Sequence, residues 1–275
     1  MARETTRKDE TGDPKFSRRF ACFAGQNRIL THPLKRGKTP PPSRRRWLLW
    51  LGLAALALLL LPAVEVAVVR VVDPPFTPLM LLRPLEPRPD GRPAPARQYS
   101  WLGLGKVPPD FLRYVLTGED QRFFHHHGFD WREIRLARAQ AGPDGEVRGA
   151  STISMQCARS LFLWQGRSWM RKGLEVYYTF WMELLLPKRR ILELYVNVIE
   201  MGDGIYGLEA AARAHYGTDA RTLTREQCAM LAALLPAPRA WNPRAPSPRL
   251  SARCAKLLRQ ERQVNFPELR RLEGK

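Results

Sequence analysis

RSWMRKGLEVYYTFWMELLLPKRRILELYVNVIEM, Arg167 to Met201, settles the class of fold. Up to Leu186 the run reads as one long helix. Pro187 stops it, because proline has no amide hydrogen with which to continue the ladder. Beyond the proline, Ile191, Leu194, Tyr195 and Val198 recur on one face, so a second, amphipathic helix follows. The period-two alternation of a half-buried strand is absent from both halves.

The same texture extends in both directions. Upstream, DFLRYVLTGEDQRF carries Phe111, Leu112, Val115 and Leu116 at helical spacing. WREIRLARAQA reads as a short helix, and ASTISMQCARSLFL as another, with Ser151 or Thr152 as its N-cap. Downstream, GLEAAARAHYG stops at Gly217, a residue that tolerates the left-handed backbone of a helix end. TREQCAMLAALL is rich in Ala and Leu, Pro236 and Pro238 break the chain, and RLSARCAKLLRQERQV forms a last helix. The expectation is a mainly α domain over residues 109–264 with a short tail at 265–275.

The chain has 275 residues and a formal charge of +19, which calls for an anionic partner. WLLWLGLAALALLLLPAV, Trp47 to Val64, is uncharged and long enough to cross a hydrocarbon core about 30 Å thick. A transmembrane helix is expected over 47–69. Arg44, Arg45 and Arg46 directly precede it, which by the positive-inside rule puts that flank in the cytoplasm and the rest of the chain outside. A single-pass membrane protein with its N-terminus in the cytoplasm follows. A cleaved signal peptide is the alternative, but the apolar run exceeds the usual core of about 7–15 residues. Residues 1–46 read as a basic, disordered tail, and 70–108 as a Pro-rich, extended connector partly packed on the domain. A nucleic-acid partner is the generic guess from the charge; the span and the external placement argue against it. Cys157, Cys228 and Cys254 match no zinc spacing and imply no pairing.

Three clusters carry candidate chemistry. In TGEDQRFFHHHGFD, Glu119 ends an apolar helix beside Phe123 and Phe124. Desolvation there would raise its proton affinity and make it a base near neutral pH; a solvated helix end is the plainer reading. His125, His126 and His127 are a poor metal site, because adjacent helical positions point about 100° apart. In RGASTISMQCARS, Ser151, Thr152, Ser154 and Gln156 form a polar row suited to sugar hydroxyls or phosphate oxygens. In GRSWMRKGLE, Arg167, Arg171 and Glu175 share a helix face with Lys172 beside them. That suits a diphosphate next to a carboxylate, or simply a salt-bridged surface helix.

In conjunction these blocks resemble a known family. The order is Glu119-Asp120-x-x-Phe123-x-x-His126-x-Gly128-x-Asp130, then Gly149-x-Ser151-Thr152-Ile153-x-x-Gln156, then Arg171-Lys172-x-x-Glu175. Lys188-x-x-Ile191-Leu192-Glu193-x-Tyr195-x-Asn197 and Gly202-x-Gly204-x-x-Gly207-x-x-Ala210-Ala211 follow. The chain is similar to the peptidoglycan glycosyltransferases, in their monofunctional membrane-anchored form.

The resemblance implies a lysozyme-like helical domain with a small membrane-dipping lobe, for which SLFLWQGRSWM is the candidate. Ordinary core packing is the other reading of that segment. The implied reaction polymerises lipid II into β-1,4 glycan and releases undecaprenyl diphosphate. Glu119 would be the general base and Glu175 the second carboxylate, aided by the adjacent cations or by a divalent ion such as Mg. Arg159, Arg167, Arg171 and Lys172 would neutralise the diphosphate, with Asp120, Phe123, Ser151, Thr152 and Gln156 also lining the substrate. His126, Gly128, Asp130, Glu193, Tyr195 and Asn197 would be supports. Lipid II, the growing glycan strand, membrane lipids and other wall-synthesis proteins are the implied partners. The chain departs from the family pattern at Met155, Arg159, Ser160 and Val196, where Gln, Lys, Asn and Leu are usual. Two rival readings remain: a lysozyme-like glycan hydrolase, and a lipid II-binding partner without turnover.

Overall fold

The computed structural model describes residues 44–86, 93–140, 149–166 and 168–269, with side chains from Arg46 onward. Residues 1–43, 87–92, 141–148, 167 and 270–275 lie outside these residues, and with them most of the expected basic tail and part of the expected C-terminal tail.

Helix α1 (Arg44–Val71) contains the apolar run; its 26 residues from Arg46 include an 18-residue stretch with a mean hydropathy of 2.4. At 1.5 Å per residue that run is about 39 Å long, more than a bilayer core requires. Its side chains from Trp47 to Leu61 are exposed, so no protein core explains their apolarity. The last turns differ. Val66 and Val69 are buried against the domain, so the helix is expected to leave the membrane already docked.

The domain is built from α2 (Pro78–Leu82), α3 (Pro109–Glu119), α4 (Trp131–Ala139), α5 (Ile153–Phe162) and α6 (Trp169–Leu185). It continues with α7 (Lys188–Val198), α8 (Leu208–Tyr216), α9 (Arg225–Leu234) and α10 (Pro248–Gln260). Local signals explain the ends. Thr152 caps α5 by accepting from Met155 N, and Ser168 caps α6 by accepting from Arg171 N. Thr224 and Gln227 form a reciprocal capping box on α9, and Gly217 ends α8 at φ +68°. Helices α5, α6 and α7 pack together as one group, and α3, α9 and α10 as another. A single core of apolar side chains runs through both, including Phe111, Leu116, Ile153, Met182, Leu194 and Leu231.

The connector departs from the extended segment expected. It holds α2, a strand and two short 3-10 turns, and it is part of the domain wall. Leu79 and Met80 are buried, Arg83 pairs with Glu200 at 2.7 Å, and Tyr99 donates to Pro74 O. Apolar residues between the prolines, too few to show a period, anchor it. The small sheet is also unforeseen. Strands β1 (Gln98–Tyr99), β2 (Glu200–Gly202) and β3 (Ile205–Tyr206) lie in the order β1-β3-β2. β1 runs parallel to β3, pairing Gln98 with Ile205, and β2 runs antiparallel with an irregularity at Glu200/Gly202. Strands of two or three residues are too short for an alternation to register.

Candidate active site

Glu119 is the last residue of α3, whose other face buries Phe111, Leu112, Val115 and Leu116. That packing fixes the helix end, and with it the carboxyl. Only 12% of the Glu119 side chain is exposed. Its Oε1 accepts from Arg253 Nη2 at 2.7 Å, and its Oε2 from Gln156 Nε2 at 3.0 Å. Gln156 in turn accepts from the Tyr195 hydroxyl at 3.0 Å. Burial pushes the Glu119 carboxyl above its ordinary range, and the bonds from Gln156 and Arg253 offset part of that. The solvated helix end is therefore not what forms.

Asp120 faces the other way. It is buried, meets His126 Nε2 at 3.0 Å and accepts from Ile153 N at 3.0 Å, clamping the start of α5. Thr152 is spent on its cap and on Gly128 O at 2.6 Å. Phe123 is fully buried with Lys188 Nζ 4.4 Å from its ring centre. Asp120, Phe123 and Thr152, expected to line the substrate, are buried, and the polar atoms of Asp120 and Thr152 already have partners within the protein. Ser154 likewise leaves the polar row: it is buried and donates to Glu183, which also holds Lys188 at 2.8 Å. The three histidines diverge. His126 is buried on Asp120, His125 lies 4.0 Å from Glu268, and His127 is exposed. Gly128 has φ +87°, and a Cβ there would lie 2.8 Å from Thr179. Asp130 caps α4 and pairs with Arg122 at 2.9 Å.

The second carboxylate lies on α6. Glu175 is completely buried, with Arg171 Nη1 on one oxygen at 2.7 Å and Lys172 Nζ on the other at 2.5 Å. The surface salt bridge is therefore not the arrangement: two cations and one carboxylate sit together inside the wall. Arg171 also donates to Gly166 O at 2.6 Å and is buried, so it braces Glu175 more than it faces outward. Lys172 remains 37% exposed and also reaches Ser151 Oγ at 3.4 Å. Gln156 Nε2 approaches Ser151 O at 3.5 Å, so the path Glu119–Gln156–Ser151–Lys172–Glu175 links the two acids. Arg159 is half-buried, and its Nε has no partner among the described residues. Both oxygens of Glu175 already carry a cation, so a divalent ion would have to displace one of them; the present arrangement does not fit a metal.

The remaining supports are backbone clamps. Glu193 accepts from Leu104 N at 3.0 Å, and Asn197 bonds both Leu102 N and Leu102 O. Met155, Ser160 and Val196 are all buried. Arg253, on the last helix, is the residue that sequence reasoning missed. It lies 134 positions from Glu119, and no spacing rule links them.

Two carboxylates joined by a polar path, one beside paired cations, thus sit in a helical domain that follows one candidate membrane helix. The sequence matches the family described as Transglycosylase over residues 91–262. The chain belongs to that family and is a glycosyltransferase. It is 46% identical over 228 residues to a biosynthetic peptidoglycan transglycosylase of Xanthomonas campestris pv. campestris (strain B100), covering 83% of this chain and 93% of the relative. A protein of the same name from Xanthomonas euvesicatoria pv. vesicatoria (strain 85-10) is 45% identical over 228 residues, covering 83% and 92%. Another, from Xylella fastidiosa (strain M23), is 44% identical over 223 residues, covering 80% and 91%.

Proposed function

We propose that this protein polymerises lipid II into the β-1,4-linked glycan of peptidoglycan, with Glu119 as general base. The observation that carries the reading is the mostly buried Glu119 carboxyl, linked through Gln156, Ser151 and Lys172 to the cation-braced Glu175.

Glu119 takes the proton from the 4-hydroxyl of the acceptor sugar. The freed oxygen attacks the donor's anomeric carbon, and the bond to the diphosphate breaks on the opposite face. Negative charge grows on the leaving diphosphate, and fixed cations placed there lower the barrier. Lys172 and Arg159 have the uncommitted capacity for that role; Arg171 and Glu175 hold Lys172 in place. Arg167 would add a further cation. No step is routed through a metal ion.

The lipid tail of such a substrate stays in the bilayer. Helix α6 supports this with Trp169, Met170, Val176, Phe180 and Leu184 on an exposed face, Trp169 being 93% exposed. Leu161 and Leu163 of the same neighbourhood are buried, so the candidate membrane-dipping segment is core on one side and interfacial on the other. The arginines that begin α1 orient the chain with its N-terminus in the cytoplasm and the domain on the outer face of the inner membrane.

The test is polymerisation of purified lipid II by the full chain in detergent, run beside Glu119→Gln. Glycan strands from the wild type and none from a folded Glu119→Gln variant are expected. Near-normal strands from the variant would remove Glu119 as the base. Lipid II bound without turnover by the wild type would make the chain a binding partner, and shortening of added glycan would make it a hydrolase.

A further inference from the structure

We propose that Arg253, delivered by the C-terminal helix α10, is the positioning residue that keeps the Glu119 carboxylate ionised and aimed as the base. This rests on the reading of Glu119 given above. It extends that reading to an element outside the sequence blocks that carry the family resemblance.

Four observations support it. Arg253 Nη2 lies 2.7 Å from Glu119 Oε1, and Glu119 is the only carboxylate it pairs with among the described residues. Its Nε is buried without a partner among the described residues, so no acceptor there competes for that N–H. Helix α10 is seated closely on the end of α3: a Cβ at Gly118 would come within 3.0 Å of Leu257 Cδ2. The other Glu119 oxygen is bonded by Gln156, whose amide is itself fixed by Tyr195. Each donor holds a different oxygen of the carboxylate.

A base must be ionised before it can accept a proton, and burial works against that. The groups facing Glu119 can be weighed one by one. Asp120, next in the chain, is an acid that further opposes ionisation. Gln156 on α5 donates a hydrogen bond but carries no charge. Tyr195 on α7 is buried and held neutral, with Arg159 near it. Arg253 is therefore the direct cationic contact. Without it, burial and Asp120 act with only the Gln156 bond against them. Arg253 touches no substrate in this account; it acts through Glu119.

The experiment compares Arg253→Met and Arg253→Lys with the wild-type full chain in detergent. It measures kcat for lipid II polymerisation across pH, the KM for lipid II, and the infrared band of the protonated Glu119 carboxyl, assigned by its loss in Glu119→Gln. Removing an opposite charge at this distance raises a carboxyl by about 1–3 pH units. For Arg253→Met the acidic limb of kcat and the infrared titration should therefore move up together by at least one unit. The rate below the limb should fall at least tenfold and recover at higher pH, with KM little changed. Arg253→Lys should restore most of the shift. A lower rate at every pH with both midpoints unmoved would overturn the proposal and leave Arg253 a packing residue. A wild type without activity would sink the base assignment instead, while the infrared titration would still report whether Arg253 governs the carboxyl. Should Arg253→Met fail to fold, Arg253→Gln is read in the same way.

Discussion

Asn197 and Leu102 exchange hydrogen bonds in both directions across 95 residues of chain: Asn197 Oδ1 accepts from Leu102 N at 2.7 Å, and its Nδ2 donates to Leu102 O at 2.8 Å. Asn197 is completely buried. This amide does for the connector what a strand partner would do, and it locks the connector to α7 beside the sheet. Asn197→Ala leaves a buried N–H and a buried carbonyl without partners. The expected cost is about 3 kcal/mol, since each orphaned group costs about 1–3 kcal/mol. Thermal unfolding in detergent should fall by about 6–12 °C. An unchanged midpoint would mean that water replaces the amide.

Gly207 meets the same residue from the other side. Its φ is +78°, and a Cβ there would lie 2.5 Å from Asn197 O. Gly207→Ala combines a left-handed backbone that side chains resist with a clash against main chain, which cannot swing away. The expected loss exceeds about 3 kcal/mol. Yield of folded protein and its unfolding midpoint check this.

The helices and their ends were legible because periodicity, proline and caps act within a few residues of one another. Glu119 and Glu175 stood out through the order of the motif blocks and the resemblance they carry, since local spacing alone left plainer readings open for both. Which polar residues are buried and already partnered was not legible. Asp120 and Thr152 carry the right chemistry, but their orientation depends on contacts with His126, Ile153 and Gly128 that only the packed chain makes. Arg253 was invisible because its partner is set by how α10 docks on α3, a tertiary fact without a sequence period. The pairing of β1 with β3 joins residues more than a hundred positions apart, and so few residues leave no pattern.

Glu119→Gln should be at least as stable as the wild type near neutral pH, even where it no longer supports polymerisation. The sign follows from burial. The folded protein holds a proton on Glu119 more tightly than the unfolded chain does, so this group favours folding at low pH. That contribution is lost as pH rises through the raised folded value. Glutamine carries no such dependence, so the variant's relative midpoint should rise from acid to neutral pH. A difference that does not vary with pH would mean that Glu119 is not held above its ordinary range.

Lys172 and Arg171 share Glu175 yet should fail differently. Lys172 is the more exposed of the two, so Lys172→Ala should cost little stability while lowering kcat about 100-fold, the usual effect of losing one charge-stabilising donor. Arg171→Ala instead breaks a buried pair, which typically costs about 3–5 kcal/mol, and should lower stability and rate together. Unfolding midpoints measured beside single-turnover rates separate the two. Equal stability losses would mean that both cations are structural.

Helix α6 carries this cluster on one side and holds α1, the candidate membrane helix, on the other. The Tyr178 hydroxyl donates to Glu65, the Tyr177 hydroxyl to Leu59 O, and the Tyr178 ring stacks on Phe162 at 4.5 Å. Arg190 reinforces the junction by donating to Val69 O and Val72 O. The anchor is thus part of the wall that holds Glu175, and loosening it should be felt at the site. Tyr178→Phe keeps the ring stack and removes only the donor to Glu65, a carboxylate at the end of the apolar run. A loss of about 1–3 kcal/mol is expected, the cost of leaving such an acceptor without its donor. Polymerisation in lipid vesicles should fall with it, and the paired variant Glu65→Leu, Tyr178→Phe should recover part of the loss by removing the orphaned charge. A single variant with wild-type stability and rate would show that the anchor is a tether independent of α6.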